Sequence, residues 1–192
     1  MQLSTRALLA ASGGALGVVG LAWLAACASV PSDARIGIAA PSAADDQFGP
    51  VSDFLVHRCG SLDCHGQLGR NFRVWGCEGM RLQPNDIPQC SKALGGFRTT
   101  PEEHLETYRS LVGLEPAVMS YVVNNHSLHP ELLTFIRKAR GAESHKGGTL
   151  SVPGDFQDVC ITSWLQGNTD LNACQDATLH FPAFPALDAS AE

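Results

Sequence analysis

The sequence predicts a mainly α-helical domain that follows an apolar leader. Three observations support this fold class. Apolar residues recur at helical spacing in several stretches, residues typical of helix starts and stops flank those stretches, and the long segment 66–99 is rich in glycine without a helical period. With the leader removed from the 192 residues, the remainder suits one domain of ordinary size.

The leader, residues 1–26, has Arg6 as its one charged residue and is otherwise dominated by apolar and small residues. This arrangement is typical of a secretory signal. Its end, Leu24-Ala25-Ala26-Cys27, resembles the bacterial lipobox, which implies that Cys27 is lipidated and becomes the first residue of the mature protein. A transmembrane anchor and a signal cleaved without lipidation are the alternatives, and all three export the chain. Ala28-Ser29 follows with no aspartate after the cysteine, which favours the outer membrane, at its periplasmic or cell-surface face.

Residues 27–47 are rich in Ala, Ser, Pro and Asp, and we expect a flexible tether there. The domain is predicted to begin at Phe48 and to extend to residue 176. Its first helix, ending at Arg58, is predicted from the helical spacing of Phe48, Val51, Leu55 and Val56.

The middle of the chain contains two or three predicted helices. Thr100 as N-cap, followed by Pro101 at the first helical position, predicts a helix over 100–113. Glu115-Pro116 favours a second helix through Val123. A third is expected from Pro130 to Arg140, because basic residues followed by Gly141 are typical of a helix end.

The last predicted helix runs from Asp155 to Gln166 and ends at Gly167. Beyond it the chain becomes rich in proline and alanine, and we expect a flexible tail over 177–192.

The chain has seven cysteines, and lipidation of Cys27 leaves an even number for an oxidising compartment. Four of them fall as two local pairs, which predict the disulfides Cys77–Cys90 and Cys160–Cys174. Four cysteines allow three pairings, so the sequence does not fix the connectivity.

The other two cysteines stand in Cys59-Gly-Ser-Leu-Asp-Cys64-His65. Two thiols followed by histidine are what covalent haem attachment requires, because the thiols bond the haem and the imidazole binds the iron. The common spacing has two residues between the cysteines, whereas this loop has four and must bulge. Residues 48–66 resemble the first helix and attachment motif of bacterial c-type cytochrome domains. The stretch 145–167 looks like the end of cytochrome-like domains in large bacterial secreted proteins.

The resemblance implies a cytochrome c-like helical domain with long disulfide-stapled loops and one covalent haem c. Cys59 and Cys64 would form the thioether bonds, and His65 would be the proximal iron ligand. His145 is the first candidate for the second iron ligand, Met119 is the second, and open coordination is the third. His126 and His129 are interpreted as surface turn residues. The alternatives at this motif are a third disulfide, Cys59–Cys64, and a zinc site.

The implied function is one-electron transfer in the cell envelope, with membrane attachment through the lipid and an unidentified redox partner protein. A haem-free, disulfide-stapled lipoprotein that binds a partner or serves the envelope structurally is the alternative from another class. A haem enzyme or sensor with an open iron site is a further, less favoured alternative. The net charge of −6 and the lack of any Lys/Arg run argue against a nucleic-acid partner. Glu102 and Glu103 are interpreted as helix-start charges rather than a catalytic pair.

Overall fold

The structure is a computed structural model that describes residues 37–83 and 99–179. The chain divides into two units, Met1–Gly37 and Ile38–Glu192, and the fold described below belongs to the second. The predicted signal peptide, Cys27 and the part of the predicted tail beyond residue 179 lie outside the described residues, as does Cys90. No helix in the described ranges is both long enough and apolar enough to span a membrane.

The described part of the chain is mainly helical and contains no β-strand, so the predicted fold class is confirmed at this level. Its six α-helices are α1 (Asp45–Cys59), α2 (Pro101–Val112), α3 (Pro116–Asn124), α4 (Thr134–Ala139), α5 (Phe156–Leu165) and α6 (Leu171–Leu179). A 3₁₀ turn, Pro130–Leu132, precedes α4. Helix α1 packs against α2, α5 and α6, which places it at the centre of the domain.

Aromatic side chains fill the core where α1, α2 and α5 meet. The ring centroid of Phe48 lies 5.4 Å from that of Tyr108 and 5.0 Å from that of Trp164. Tyr108 Oη donates a hydrogen bond to Pro41 O, and Trp164 Nε1 donates one to Ser42 O, both at 2.9 Å. The segment before α1 is therefore fastened to the core, and the expected tether does not extend through residue 47.

Helix α1 begins at Asp45, three residues before the predicted start, and includes Pro50. Its first turn is held by tertiary contacts that a pattern search does not detect. His104 lies between α1 and α2, with Nδ1 2.5 Å from Asp45 Oδ1 and Nε2 3.2 Å from Asp53 Oδ1. Burial opposes protonation of His104, but the two aspartates outweigh it and raise the pKa of the imidazole.

The predicted helix from Pro130 to Arg140 was wrong as one element, because the chain is extended at Leu133 and a new helix starts after it. The carboxylate of Glu115 accepts hydrogen bonds from Thr134 N at 2.7 Å and Thr134 Oγ1 at 2.8 Å. These bonds satisfy a donor at the start of α4, which the sequence pattern does not reveal.

Helix α6 was not predicted, and the expected domain boundary at residue 176 falls inside it. Its sequence has a narrow inward face of Ala173, Cys174 and Ala177. The disulfide Cys160–Cys174 joins α6 to α5, so the predicted pairing is present. Asp170 Oδ1 also accepts a hydrogen bond from Ala173 N at 2.9 Å. Helix formation here depends on this docking rather than on a strong periodic pattern.

Candidate functional site

Helix α1 ends at Cys59, and the four residues between Cys59 and Cys64 fold into a compact turn. His65 N donates a hydrogen bond to Cys59 O at 2.9 Å, and Cys64 N donates one to Ser61 O at 3.0 Å. Arg70 Nε then donates to Cys64 O at 2.9 Å. The turn therefore returns Cys64 and His65 to the end of α1 despite the long spacing.

Three glycines let backbone segments meet beneath this turn. A Cβ atom at Gly66 would lie 1.8 Å from Gly60 O, and one at Gly79 would lie 1.9 Å from the same oxygen. Neither position accepts a side chain without movement of the backbone. The close approach keeps residues 66–83, the segment after the motif, packed against the end of α1.

The thiols of Cys59 and Cys64 are free, so the alternative of a third disulfide is not found in the structure. Burial, followed by the neighbouring Cys64, raises the pKa of the Cys59 thiol to about 12. The neutral thiol is therefore the stable form of Cys59. Within the described ranges, no group of three or more His, Cys, Asp and Glu residues is arranged to hold a metal ion.

The His65 ring is oriented by the backbone. Its Nδ1 lies 2.9 Å from Phe72 O, and since a carbonyl only accepts, Nδ1 carries the proton and donates. Burial lowers the pKa of His65, with a smaller opposing effect from this hydrogen bond. A neutral ring with Nδ1 protonated presents Nε2 as an unprotonated nitrogen, which is the form that binds a metal.

A cavity of about 540 Å³ opens beside Cys59 and His65. This volume lies within the range of about 300–1,000 Å³ that is usual for small-molecule and cofactor sites. Its walls come from α1, the segment after the motif, α4, the loop before α5, and α5 itself. The apolar wall side chains are Phe54, Leu55, Phe72, Leu114, Phe135, Ala139, Leu150 and Ile161.

His145 lines the same cavity as His65, although 79 residues lie between the two in the sequence. Their ring centroids are 5.9 Å apart, and the ring planes meet at 24°. Two imidazoles that each bind one metal atom at about 2 Å have their centroids about 6 Å apart. His145 Nδ1 is buried and has no hydrogen-bond partner among the described residues. The spacing therefore fits two imidazoles with one metal atom between them.

The other candidate iron ligands lie elsewhere. Met119 is 1 % exposed and belongs to the hydrophobic core, and it is not part of the cavity wall. His126 is an exposed turn residue with φ of 54°, and His129 is exposed beside Glu131, with Nδ1 3.1 Å from Oε1. Of the candidates named from the sequence, the structure brings His145 to the cavity with His65.

Two features of the site had no signal in the sequence. The first is the carbonyl of Phe72, because a backbone acceptor does not depend on residue type. The second is Glu115, which lines the cavity while its carboxylate caps α4. Cys77 is disulfide-bonded, as predicted, but its expected partner Cys90 lies outside the described residues and that pairing stays a prediction.

Comparison with protein-family models, curated proteins and solved structures finds no match to this chain.

Proposed function

We propose that this protein is a single-haem c-type cytochrome that transfers one electron in the cell envelope. The observation that carries the proposal is that Cys59, His65 and His145 line one cavity, with the His65 and His145 ring centroids 5.9 Å apart. Cys64 precedes His65 in the turn after α1 and is not part of the cavity wall. The cavity is largely apolar and large enough for a cofactor.

The residues present fit a covalent haem. Cys59 and Cys64 are unpaired thiols that can form thioether bonds, and His65 and His145 offer two imidazole nitrogens to the iron. The unpartnered Nδ1 of His145 indicates that this ring is not held by a hydrogen bond within the described protein. When bound, the haem would supply one-electron chemistry through its iron.

The protein would orient the ligand His65 and surround the haem with apolar side chains. Phe72 O holds the His65 ring in one tautomer, which fixes the direction of Nε2. Phe54, Leu55 and Ile161 exclude water from the cavity and lower its local dielectric. Ligation by two histidines favours a lower reduction potential than ligation by histidine and methionine.

The cellular setting follows from the leader. Lipidation at Cys27 would attach the protein to the outer membrane, and the folded domain would exchange electrons with a redox partner protein. An acidic net charge of −6 favours a partner with a basic docking surface over a nucleic acid.

The test is the absorption spectrum of the oxidised and reduced protein, expressed with its own leader in a host that matures c-type cytochromes. Haem staining after denaturing electrophoresis then reports covalent attachment. We expect staining in the wild type and none in the Cys59→Ser/Cys64→Ser double variant. The wild-type spectrum should be low-spin, because two imidazoles bind the iron.

The His145→Ala variant distinguishes the second ligand, and Met119→Leu is its matched control. We expect His145→Ala to stain for haem but to become high-spin, whereas Met119→Leu keeps the wild-type spectrum. A wild type that is already high-spin, and that His145→Ala does not change, would assign an open iron site. A colourless wild type would overturn the cytochrome proposal.

A further inference from the structure

His65 and His145, the two histidines of the cavity wall, are held in different ways. His65 Nδ1 donates to Phe72 O at 2.9 Å, and the ring belongs to the turn that begins at Cys59. His145 Nδ1 is buried with no hydrogen-bond partner in the described part of the chain. A hydrogen bond at the second nitrogen orients a metal-bound imidazole and raises its basicity. No described residue restrains His145 Nδ1, so His145 is the less restrained of the two rings.

Two glycines, Gly147 and Gly148, follow His145 in its loop. A Cβ atom at Gly147 would lie 3.0 Å from His145 Cε1, so the imidazole occupies space that a side chain would take. Gly148 has φ of +70°, a conformation that glycine adopts without strain. Backbone hydrogen bonds from Ala142 N to Arg137 O and from Leu150 N to Ala139 O hold the two ends of the loop. Between these ends, the backbone bond is the one from Gly148 N to His145 O at 2.9 Å, so the backbone restrains His145 itself little.

Basic residues of α4 fasten this loop just before His145. Arg137 forms an ion pair with Glu143, and Lys138 Nζ lies 3.7 Å from Glu143 Oε2. Lys138 Nζ also donates a hydrogen bond to Ser144 O at 3.1 Å, next to His145. We call Arg137, Lys138 and Glu143 the α4 latch. Its side chains are 31–39 % exposed, so water and salt compete with these contacts.

We propose that, when haem is bound, His145 is the exchangeable iron ligand and the α4 latch sets how readily it leaves. This inference rests on the proposed function and adds that the site can take an external ligand, for which carbon monoxide is the probe. Glu143 is a positioning residue here, since it acts through the loop and does not touch the cavity wall.

The test is the rate at which carbon monoxide binds the reduced holoprotein, followed by absorption. The rate should level off as the concentration of carbon monoxide rises, because His145 must leave first. In Glu143→Gln we expect this limiting rate to rise about two- to five-fold, the range expected for loss of a half-exposed ion pair. High salt should raise the wild-type rate towards that of the variant, because it screens the same contacts.

Glu106→Gln is the matched control, because Glu106 forms a comparable exposed ion pair with Arg109 on α2, and its side chain is 34 % exposed against 36 % for Glu143. It should bind carbon monoxide at the wild-type rate. Gly147→Ala crowds the imidazole directly and should raise the high-spin fraction. Equal limiting rates in the wild type and Glu143→Gln would overturn the latch. A rate that never levels off would overturn His145 as the exchanged ligand. Absence of haem would refute the cytochrome itself, a result that staining separates from the other two.

Discussion

Replacing Glu103 by glutamine tests how a buried carboxylate joins the segment after the motif to α2. The Glu103 side chain is fully buried and accepts hydrogen bonds from Arg81 Nε at 2.7 Å and Arg81 Nη2 at 2.8 Å. It also accepts from Leu82 N at 3.1 Å and from Thr100 N at 3.0 Å, the latter as part of a capping box. One carboxylate therefore satisfies four donors from three residues, which lie in two parts of the chain.

Glutamine has nearly the same shape but only one acceptor oxygen. If that oxygen keeps the bonds from Arg81 Nε and Leu82 N, the amide nitrogen faces Arg81 Nη2 and Thr100 N, which are donors themselves. Each lost hydrogen bond to a charged group costs about 1.5–3 kcal/mol. Removal of one partner of a buried ion pair costs about 3–5 kcal/mol in comparable cases. Both approaches predict that Glu103→Gln lowers the free energy of unfolding by about 3–5 kcal/mol.

The assay is urea denaturation at neutral pH, followed by circular dichroism and by the fluorescence of the tryptophans. Glu102→Gln is the matched control, because Glu102 occupies the same helical turn but is exposed, and its effect should stay within about 0.5 kcal/mol. A loss of unfolding free energy below about 1 kcal/mol in Glu103→Gln would refute the reasoning. It would mean that the four buried hydrogen bonds stabilise the domain no more than an exposed ion pair does.

Three further predictions concern the site and the stability of the domain. Gly66→Ala should reduce haem staining per protein several-fold, because the new Cβ would meet a backbone carbonyl at 1.8 Å; Gly69→Ala, whose Cβ meets one side-chain atom at 3.9 Å, should not. The raised pKa of His104 means that its stabilising contribution is complete below about pH 6.5 and is lost as pH rises through the folded-state pKa. The difference in unfolding free energy between wild type and His104→Asn should therefore shrink with rising pH, and a constant difference would contradict this. Replacing Cys160 and Cys174 by serine should cost about 3 kcal/mol in urea denaturation, and an unchanged midpoint would show that the bridge adds nothing.

The sequence by itself determined the helical class and most helix positions. Thr100 and Asp155 are N-cap residues in the structure, with their side chains accepting from Glu103 N and Asp158 N, because capping is a local interaction that a few neighbouring residues specify. The pairing Cys160–Cys174 was predicted for the same reason, since the two cysteines are near in sequence. The motif of Cys59, Cys64 and His65 was also local, and its residue types alone suggested haem chemistry.

The tertiary structure alone decided the features that depend on distant segments. Helix α6 and the first turn of α1 form through docking onto other elements, so their own sequences carry weak signals. The sequence ranked His145 before Met119, but only the folded chain brings His145 to the cavity wall and Met119 into the core. The carbonyl of Phe72 orients His65 through the backbone, which no residue type encodes. A spacing rule detects neighbours along the chain, whereas these contacts join groups that only packing brings together.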